Sequence, residues 1–298
     1  MSKKKVITRR EFIKGTSIAA IGSSLSWGAP AWLRPESQNA TDVVLVRNQD
    51  VLDESGSPKY DVVLEMLDAA VTALAKTKDP ITAWKQFIKP HDVVGIKTNA
   101  WNFLPTTSPV ENAIKKRVMD VGVPETNIGI KDRGVHADPF FQKATALINA
   151  RPMRTHHWAG VGSCLKNMIT FVPNPWIYHD DTCADLAKLW ELPAIKGKVR
   201  LNILVMFTPL FHSVGPHGFS PEYTWKYYGL IVGVDPVAVD TTGVRIIQAK
   251  RLRHFGEDRP LNPPAHHISL ADTRHHLGIA DPGKINLIKI GISADGLI

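Results

Sequence analysis

The sequence predicts an α/β fold: a mostly parallel sheet with helices on both faces and long strand-to-helix loops. Three observations carry this. Apolar, β-branched runs recur along the chain, as in TDVVLVR (41–47), DVVGIK (92–97) and RLNILVMF (200–207). Segments with helical spacing and helix-start signatures separate them, so strand and helix alternate, the pattern of a sheet covered on both sides. The 298 residues, 44% hydrophobic and 21% charged, have globular composition and suffice for one large core or two small ones.

The elements follow in order. Residues 41–47 read as the first strand. Over 60–75, Val63, Met66, Leu67, Ala70, Val71 and Leu74 recur at helical spacing. A short helix follows over 81–88 and a buried strand over 92–97. The next helix carries its own boundaries: Ser108 as cap, Pro109 in the first turn, Glu111 closing a capping box and Gly122 at the end. Residues 127–131 form another strand, and Asp138-Pro139 opens another helix. Residues 180–190 are helical by pattern, 200–207 form a strongly apolar strand, and Ser220-Pro221-Glu222 begins a short helix. Residues 230–234 are a strand, Asp235-Pro236 starts a helix running to Lys250, and 285–290 form the last strand. No internal repeat or linker is visible. The expectation is a single α/β domain over 32–298, with a division near 150–160 as the alternative.

The N-terminus reads as a targeting segment. Arg9-Arg10-Glu11-Phe12-Ile13-Lys14 resembles the twin-arginine export signature, and a mildly apolar stretch and Ala29-Pro30-Ala31 follow it. The apolar stretch is shorter than the ~20 residues needed to span a bilayer. An export signal over 1–31 is therefore expected, with a periplasmic or otherwise extracytoplasmic destination and the twin-arginine machinery as partner. A retained leader would leave the protein membrane-associated. The leader holds six Lys and Arg against Glu11, a net +5, so only +3 of the chain's +8 belongs to the remainder. No Lys/Arg stripe with interleaved aromatics occurs, which argues against nucleic acid. Two cysteines, Cys164 and Cys183, cannot supply an iron–sulfur cluster by themselves. Spacing leaves open whether they form a disulfide or stay as thiols.

In open α/β sheets ligands bind beyond the carboxyl ends of strands. The strand over 92–97 ends in Lys97-Thr98-Asn99, that over 200–207 runs into a loop with His212 and His217, and that over 230–234 runs into Asp235. Lys97 and Asn99 either bind an anionic group or sit solvated at a strand end. His212 and His217, five apart across Gly and Pro, can face one ligand or lie as ordinary surface residues. Asp235 suits a helix N-cap and also stands among the candidate cofactor contacts. Asp240, one turn on, is a possible orienting residue behind them. His266-His267 and His275-His276 read as surface features. The stretch from His156 to His179 adds Lys166-Asn167 between two histidines, with Gly160 and Gly162 allowing close backbone approach. Histidine can ligate metal or move a proton, and lysine can pair with phosphate or carboxylate or bind a cofactor covalently. No HExxH, paired CxxC or P-loop is present.

Several blocks carry a family resemblance: IKTN at 96–99, SPVENAIKKRVMDVGV after it, SCLKNMIT around Lys166-Asn167, His179, VGPHG, and YYGLIVGVDPVAVD. Over roughly residues 42–250 the chain resembles the family known as domain of unknown function 362. Many members carry a twin-arginine leader or a ferredoxin-like cysteine cluster, and this sequence has a leader-like segment without the cluster. The resemblance implies a fold and no reaction. His156, Lys166 ten residues on and a later His179 are also similar to the cofactor region of the nickel-pincer lactate racemase family. That likeness implies that His156 and Lys166 contact a cofactor, with His179 as ligand; His157 competes for the first role.

The expected activity is thus an exported, cofactor- or metal-binding protein acting by redox or isomerisation chemistry on a small anionic metabolite. Lys97, Asn99, Lys166 and His212 are the catalytic candidates. His156, Lys166, Asn167 and Asp235 are the cofactor contacts, and His179 and His217 the ligands of a divalent metal, nickel or zinc, or of a metal-bearing organic cofactor. The competing expectation is a non-catalytic subunit of a periplasmic, membrane-associated redox complex.

Overall fold

The computed structural model describes residues 40–298; residues 1–31, with Arg9 and Arg10, lie outside them. The chain opens with β1 (Thr41–Arg47), α1 (Tyr60–Ala75) and α2 (Pro80–Phe87). It continues through β2 (Val94–Lys97), α3 (Ser108–Val121), β3 (Ile128–Lys131), α4 (Pro139–Lys143), β4 (Ala146–His156) and β5 (Gly160–Gly162). Two one-turn helices follow, α5 (Cys164–Asn167) and α6 (Asp180–Cys183). The rest is β6 (Val199–Leu210), β7 (Gly229–Gly233), α7 (Pro236–Phe255), α8 (His266–Thr273) and β8 (Ile285–Gly291).

The strands form one mixed, mostly parallel sheet in the order β3-β2-β4-β6-β7-β1-β8, with β5 folded back antiparallel onto the end of β4. β3, β2, β4 and β6 pair in parallel, as do β1 and β8, whereas β7 runs against both of its neighbours. The carboxyl ends of β2, β4 and β6 therefore share one rim, and that of β7 lies at the other. This corrects the sequence-based placement of Asp235, which sits across the sheet from Lys97. The run GLIVG is buried throughout and carries no mark of direction.

Successive strand residues alternate between the two faces. Val44, Ile96, Ile148, Ile203 and Val232 pack with the apolar stripes of α1, α2 and α3, including Val63, Leu67, Trp84 and Ile114. Val43, Leu147, Leu204 and Ile231 pack on the other side with Val237, Ile246 and Ile247 of α7 and Ile268 of α8.

Three local readings change. Thr107, not Ser108, occupies the cap position of α3, and it makes no side-chain cap bond; Pro109 falls in the first turn as expected. Residues 180–190 do not form one helix. Asp181, Thr182 and Cys183 adopt left-handed backbone (φ 45°, 54° and 65°), and a 3-10 segment at Leu186–Glu191 follows. His267 is fully buried rather than a surface residue. The sequence also hid β4, the middle of the parallel group, whose eleven residues are all buried. Its segment ALINARPMRTH mixes Asn149, Arg151, Pro152 and Arg154 into the apolar run and so resembles a loop.

Candidate functional site

Lys97 closes β2 with its side chain fully buried. Its Nζ donates to Thr98 O at 2.6 Å, to Asp132 Oδ1 at 2.7 Å and, more weakly, to Asn167 Oδ1 at 3.4 Å. Asp132 Oδ2 accepts from Ala100 N at 2.8 Å. Burial pushes the ammonium down to about 8 even with Asp132 beside it, and Lys97 in turn holds the Asp132 carboxyl below its usual range against burial. Lys97 is thus saturated and sits behind the site as a support; a catalytic role facing ligand does not fit it.

From Lys97 a buried amide ladder crosses the sheet. Asn167 Nδ2 donates to Lys97 O (3.2 Å) and to Asn149 Oδ1 (2.8 Å). Asn149 Nδ2 donates to Asn202 Oδ1 (2.9 Å) and Cys164 O (3.0 Å), and Asn202 Nδ2 to Val234 O (2.9 Å). Asn167 spends both amide groups inside the protein, so it positions α5 rather than reading a cofactor. Asp240 of α7 grips the other end of that turn. It accepts from Ser163 Oγ at 2.6 Å and from the backbone N–H of Cys164 and Leu165, both at 2.8 Å. Burial raises the Asp240 carboxyl to about 6 despite these donors.

This frame holds Lys166 at a pocket of about 260 Å³ on the carboxyl rim, lined also by Asn99, Trp101, Asp132, Arg133, Arg151, Arg154, His156 and His179. Arg151 and Arg154 come from β4. A register shift between Pro152 and Arg154 breaks the two-residue alternation and lets residues three apart serve one side. Gly162 of β5 makes the room: a Cβ there would lie 2.6 Å from Arg151 Nη2. Both guanidinium groups are buried and under-partnered. Arg151 Nη1 reaches Ser163 O only at 3.4 Å, and its Nε has no partner. Arg154 stacks over the Trp101 ring at 4.1 Å, with Nε and Nη1 unpaired. Burial pushes Arg154 down, and Arg151 beside it pushes further. Arginine nevertheless keeps its proton in proteins, so these groups are buried cations with no carboxylate in direct contact, although Asp132 acts on both and Asp240 on Arg151 from farther off.

Lys166 Nζ has one hydrogen-bond partner among the described residues, the Cys183 thiol at 3.5 Å. Burial lowers this ammonium to about 8. Cys164 and Cys183 are both buried free thiols, and burial raises both. His156 Nδ1 accepts from Trp158 N at 3.2 Å, which fixes the neutral ring with its proton on Nε2. Burial and then Lys166 push His156 far below its usual range, so it is neutral and a donor. The same two causes lower His179 to about 4, leaving it neutral as well.

The structure thus gathers Asn99, His156, Lys166, Asn167 and His179 around one pocket and disperses the rest. His217 is exposed and meets His157 edge-on, with ring centroids 4.4 Å apart, beside rather than in the pocket. His212 turns toward α7, its Nδ1 3.0 Å from Arg251 Nη1 and its ring against Tyr223 and Phe255, so it is not a catalytic partner of Lys166. Asp235 caps α7 and spends its carboxylate on the N–H groups of Val237, Ala238 and Ile279.

A metal held by protein side chains does not fit. Among the described residues no group of three or more His, Cys, Asp or Glu side chains is placed to hold a metal ion. His156 has its Nε2 protonated, and the cations around the pocket repel a bare divalent ion. Sequence reading missed Arg151 and Arg154 because their strand was hidden. The available signal was the spacing of two arginines across a proline inside an apolar run.

No curated protein and no solved structure matches the chain. A family model does match residues 94–245, the stretch from the start of β2 into α7 that contains Arg151, Arg154, His156, Lys166, His179 and Asp240. Spanning half of the chain and the whole of this pocket, that match makes the protein a member of the family described as "Domain of unknown function (DUF362)".

Proposed function

We propose that the protein is an enzyme that binds a small organic anion at this pocket and moves a proton on it. The observation that carries this is the set of buried, unpaired guanidinium N–H groups of Arg151 and Arg154 beside Lys166. The single acid in the lining, Asp132, is already tied to Lys97. Buried charges are normally paired, and a carboxylate or phosphate supplies what this wall lacks. His156 donates its Nε2 proton in a hydrogen bond to the bound anion, and neutral His179 serves as the base. The cations stabilise negative charge that develops when a proton leaves carbon. Isomerisation by proton transfer is therefore the reaction class these groups serve. The likeness to the nickel-pincer racemases adds to this reading only through the sequence spacing of His156, Lys166 and His179.

Calorimetric titration with a panel of carboxylates and phosphate esters tests the binding step. One or more should bind, and Arg154→Gln should weaken that binding about tenfold or more, the loss of a charge-assisted hydrogen bond. A native, folded protein with no affinity for any of them ends this reading. Proton transfer is checked by incorporation of solvent deuterium into the bound ligand.

Two further proposals concern place and partners. From the Arg9-Arg10 segment we propose twin-arginine export to an extracytoplasmic compartment, tested by cell fractionation of the wild type against an Arg9→Lys, Arg10→Lys variant. The second functional reading, a subunit of a membrane-associated redox complex, is favoured by exposed apolar side chains on the surrounding loops: Phe103 (56%), Trp176 (64%), Ile177 (61%) and Val214 (50%). Co-purification of stoichiometric redox subunits from native membranes supports it; a protein purified alone, with its pocket functional, counts against it.

A further inference from the structure

Building on the anion reading, we propose that Lys166 condenses with the carbonyl of a small 2-oxo acid to form an imine, while Arg151 and Arg154 hold the acid's carboxylate. Two buried lysines, Lys97 behind the pocket and Lys166 in its lining, make the contrast. Lys97 is locked by a carboxylate, a carbonyl and an amide oxygen. Lys166 has only a thiol for a partner, at 3.5 Å, and a thiol brings no counter-charge. A carboxylate in place of Cys183 would hold the ammonium protonated and inert. A buried amine released in this way reaches its nucleophilic form near neutral pH, in keeping with the value of about 8.

The backbone around the thiol points the same way. Asp181, Thr182 and Cys183 are three consecutive non-glycine residues at positive φ. Strain of this kind is sparse and gathers at functional sites. Here it ends at the group that faces Lys166 Nζ.

The step closes without an oxidant or reductant. The Nζ lone pair attacks the carbonyl carbon, and the C=O π electrons move to oxygen. Neutral His179 takes a proton from the attacking nitrogen and returns it to the carbinolamine oxygen. As the hydroxyl leaves, the nitrogen lone pair forms the C=N bond and His179 carries the second N–H proton to the departing oxygen, so amine and carbonyl give imine and one water. Asn99 Oδ1, buried and unpaired in the same lining, is an open acceptor for the hydroxyl before it departs.

The test is reductive trapping on the full-length protein. Glyoxylate or pyruvate is added with cyanoborohydride, and peptides are mapped by mass spectrometry. The expected result is one dominant secondary-amine adduct on Lys166, suppressed by excess succinate, which offers carboxylates without a carbonyl. Arg154→Gln keeps the amine and should cut labelling about tenfold. Succinate or pyruvate binding without an adduct on Lys166 overturns the imine and leaves the anion reading standing. Absence of both binding and adduct overturns both. Labelling spread evenly over exposed lysines such as Lys76 and Lys196, or labelling of Lys166 indifferent to succinate and to Arg154→Gln, also overturns the imine site.

Discussion

Lys97 and Lys166 have the same chemistry and nearly the same burial, and their neighbours give them opposite stability effects. Lys97 compensates Asp132, so Lys97→Met strips a half-buried carboxylate of its ion pair and leaves it the Ala100 N–H and the more distant Arg151. Breaking a fully buried pair from one side costs about 3–5 kcal/mol; because Asp132 lies at the pocket and keeps the Ala100 N–H, urea unfolding of that variant should show a loss at or below the lower end of this range. Lys166 compensates nothing. Its pKa falls from 10.5 to about 8, so between these values the unfolded chain binds more protons than the folded one, and stability rises with pH across that window. Below about pH 8 the full penalty is present, about 3 kcal/mol for a shift of this size. Lys166→Met should therefore be as stable as the wild type or more so near neutral pH, lacking the wild type's rise in stability above pH 8, while anion affinity collapses. In the wild type the affinity should be strongest below about pH 8 and weaken above it as the ammonium discharges. A Lys166→Met variant destabilised by several kcal/mol would show that Lys166 has a structural partner beyond the Cys183 thiol.

At the scale of elements, the pocket rests on β4 and the α5 turn, and these were the least legible parts of the sequence. The helices at Tyr60–Ala75 and Ser108–Val121 declared themselves through apolar spacing and terminal residues. β4 did not, because it buries Asn149 on another amide, Arg151 near a carbonyl and Arg154 against the Trp101 ring, where a sequence pattern expects apolar side chains. Lys166 and the flanking His156 and His179 stood out by their local pattern and by the blocks that carry the family resemblance. What holds them was not: the grip on α5 comes from Asp240, more than seventy residues away. Asp240→Asn tests that grip with little change in volume. Asp240 accepts on both oxygens, and an amide must turn a donor toward either Cys164 N or the Ser163 and Leu165 donors. The mismatch should cost about 1–3 kcal/mol in unfolding free energy. It should also weaken anion binding, since Lys166 rides on the same turn. Gly162→Ala acts from the other side. Its Cβ meets Arg151 Nη2 at 2.6 Å and must displace the guanidinium, so affinity should fall more than stability does.

Over the whole molecule, the parallel group β3-β2-β4-β6 puts the carboxyl ends of four neighbouring strands at one rim, where the pocket forms. The reversed β7 carries Asp235 to the far rim, where it caps α7. The fold thus separates a charged, under-paired rim from Asp235, whose carboxylate is fully spent on backbone N–H groups. The net +3 outside the leader gives little sign of this, because charge matters here by position rather than by sum. A ligand that pairs with Arg151, Arg154 and Lys166 ties the end of β4 to α5 and, through His179, to the segment after it. Binding only the folded state, it should stabilise the protein by about 2.7 kcal/mol at a hundred times its dissociation constant. The gain should be uneven. Hydrogen exchange with and without saturating ligand should slow at residues 99–106, 163–183 and 212–219, the loops and turns around the pocket. It should change little in α1 and α2, which pack on the other face of the sheet around Val63, Leu67 and Trp84. Uniform protection across α1, α2 and the rim would mean that the ligand stabilises the fold without engaging this pocket. Protection confined to the rim loops, and lost in Arg154→Gln, assigns the anion to the carboxyl ends of β2, β4 and β6.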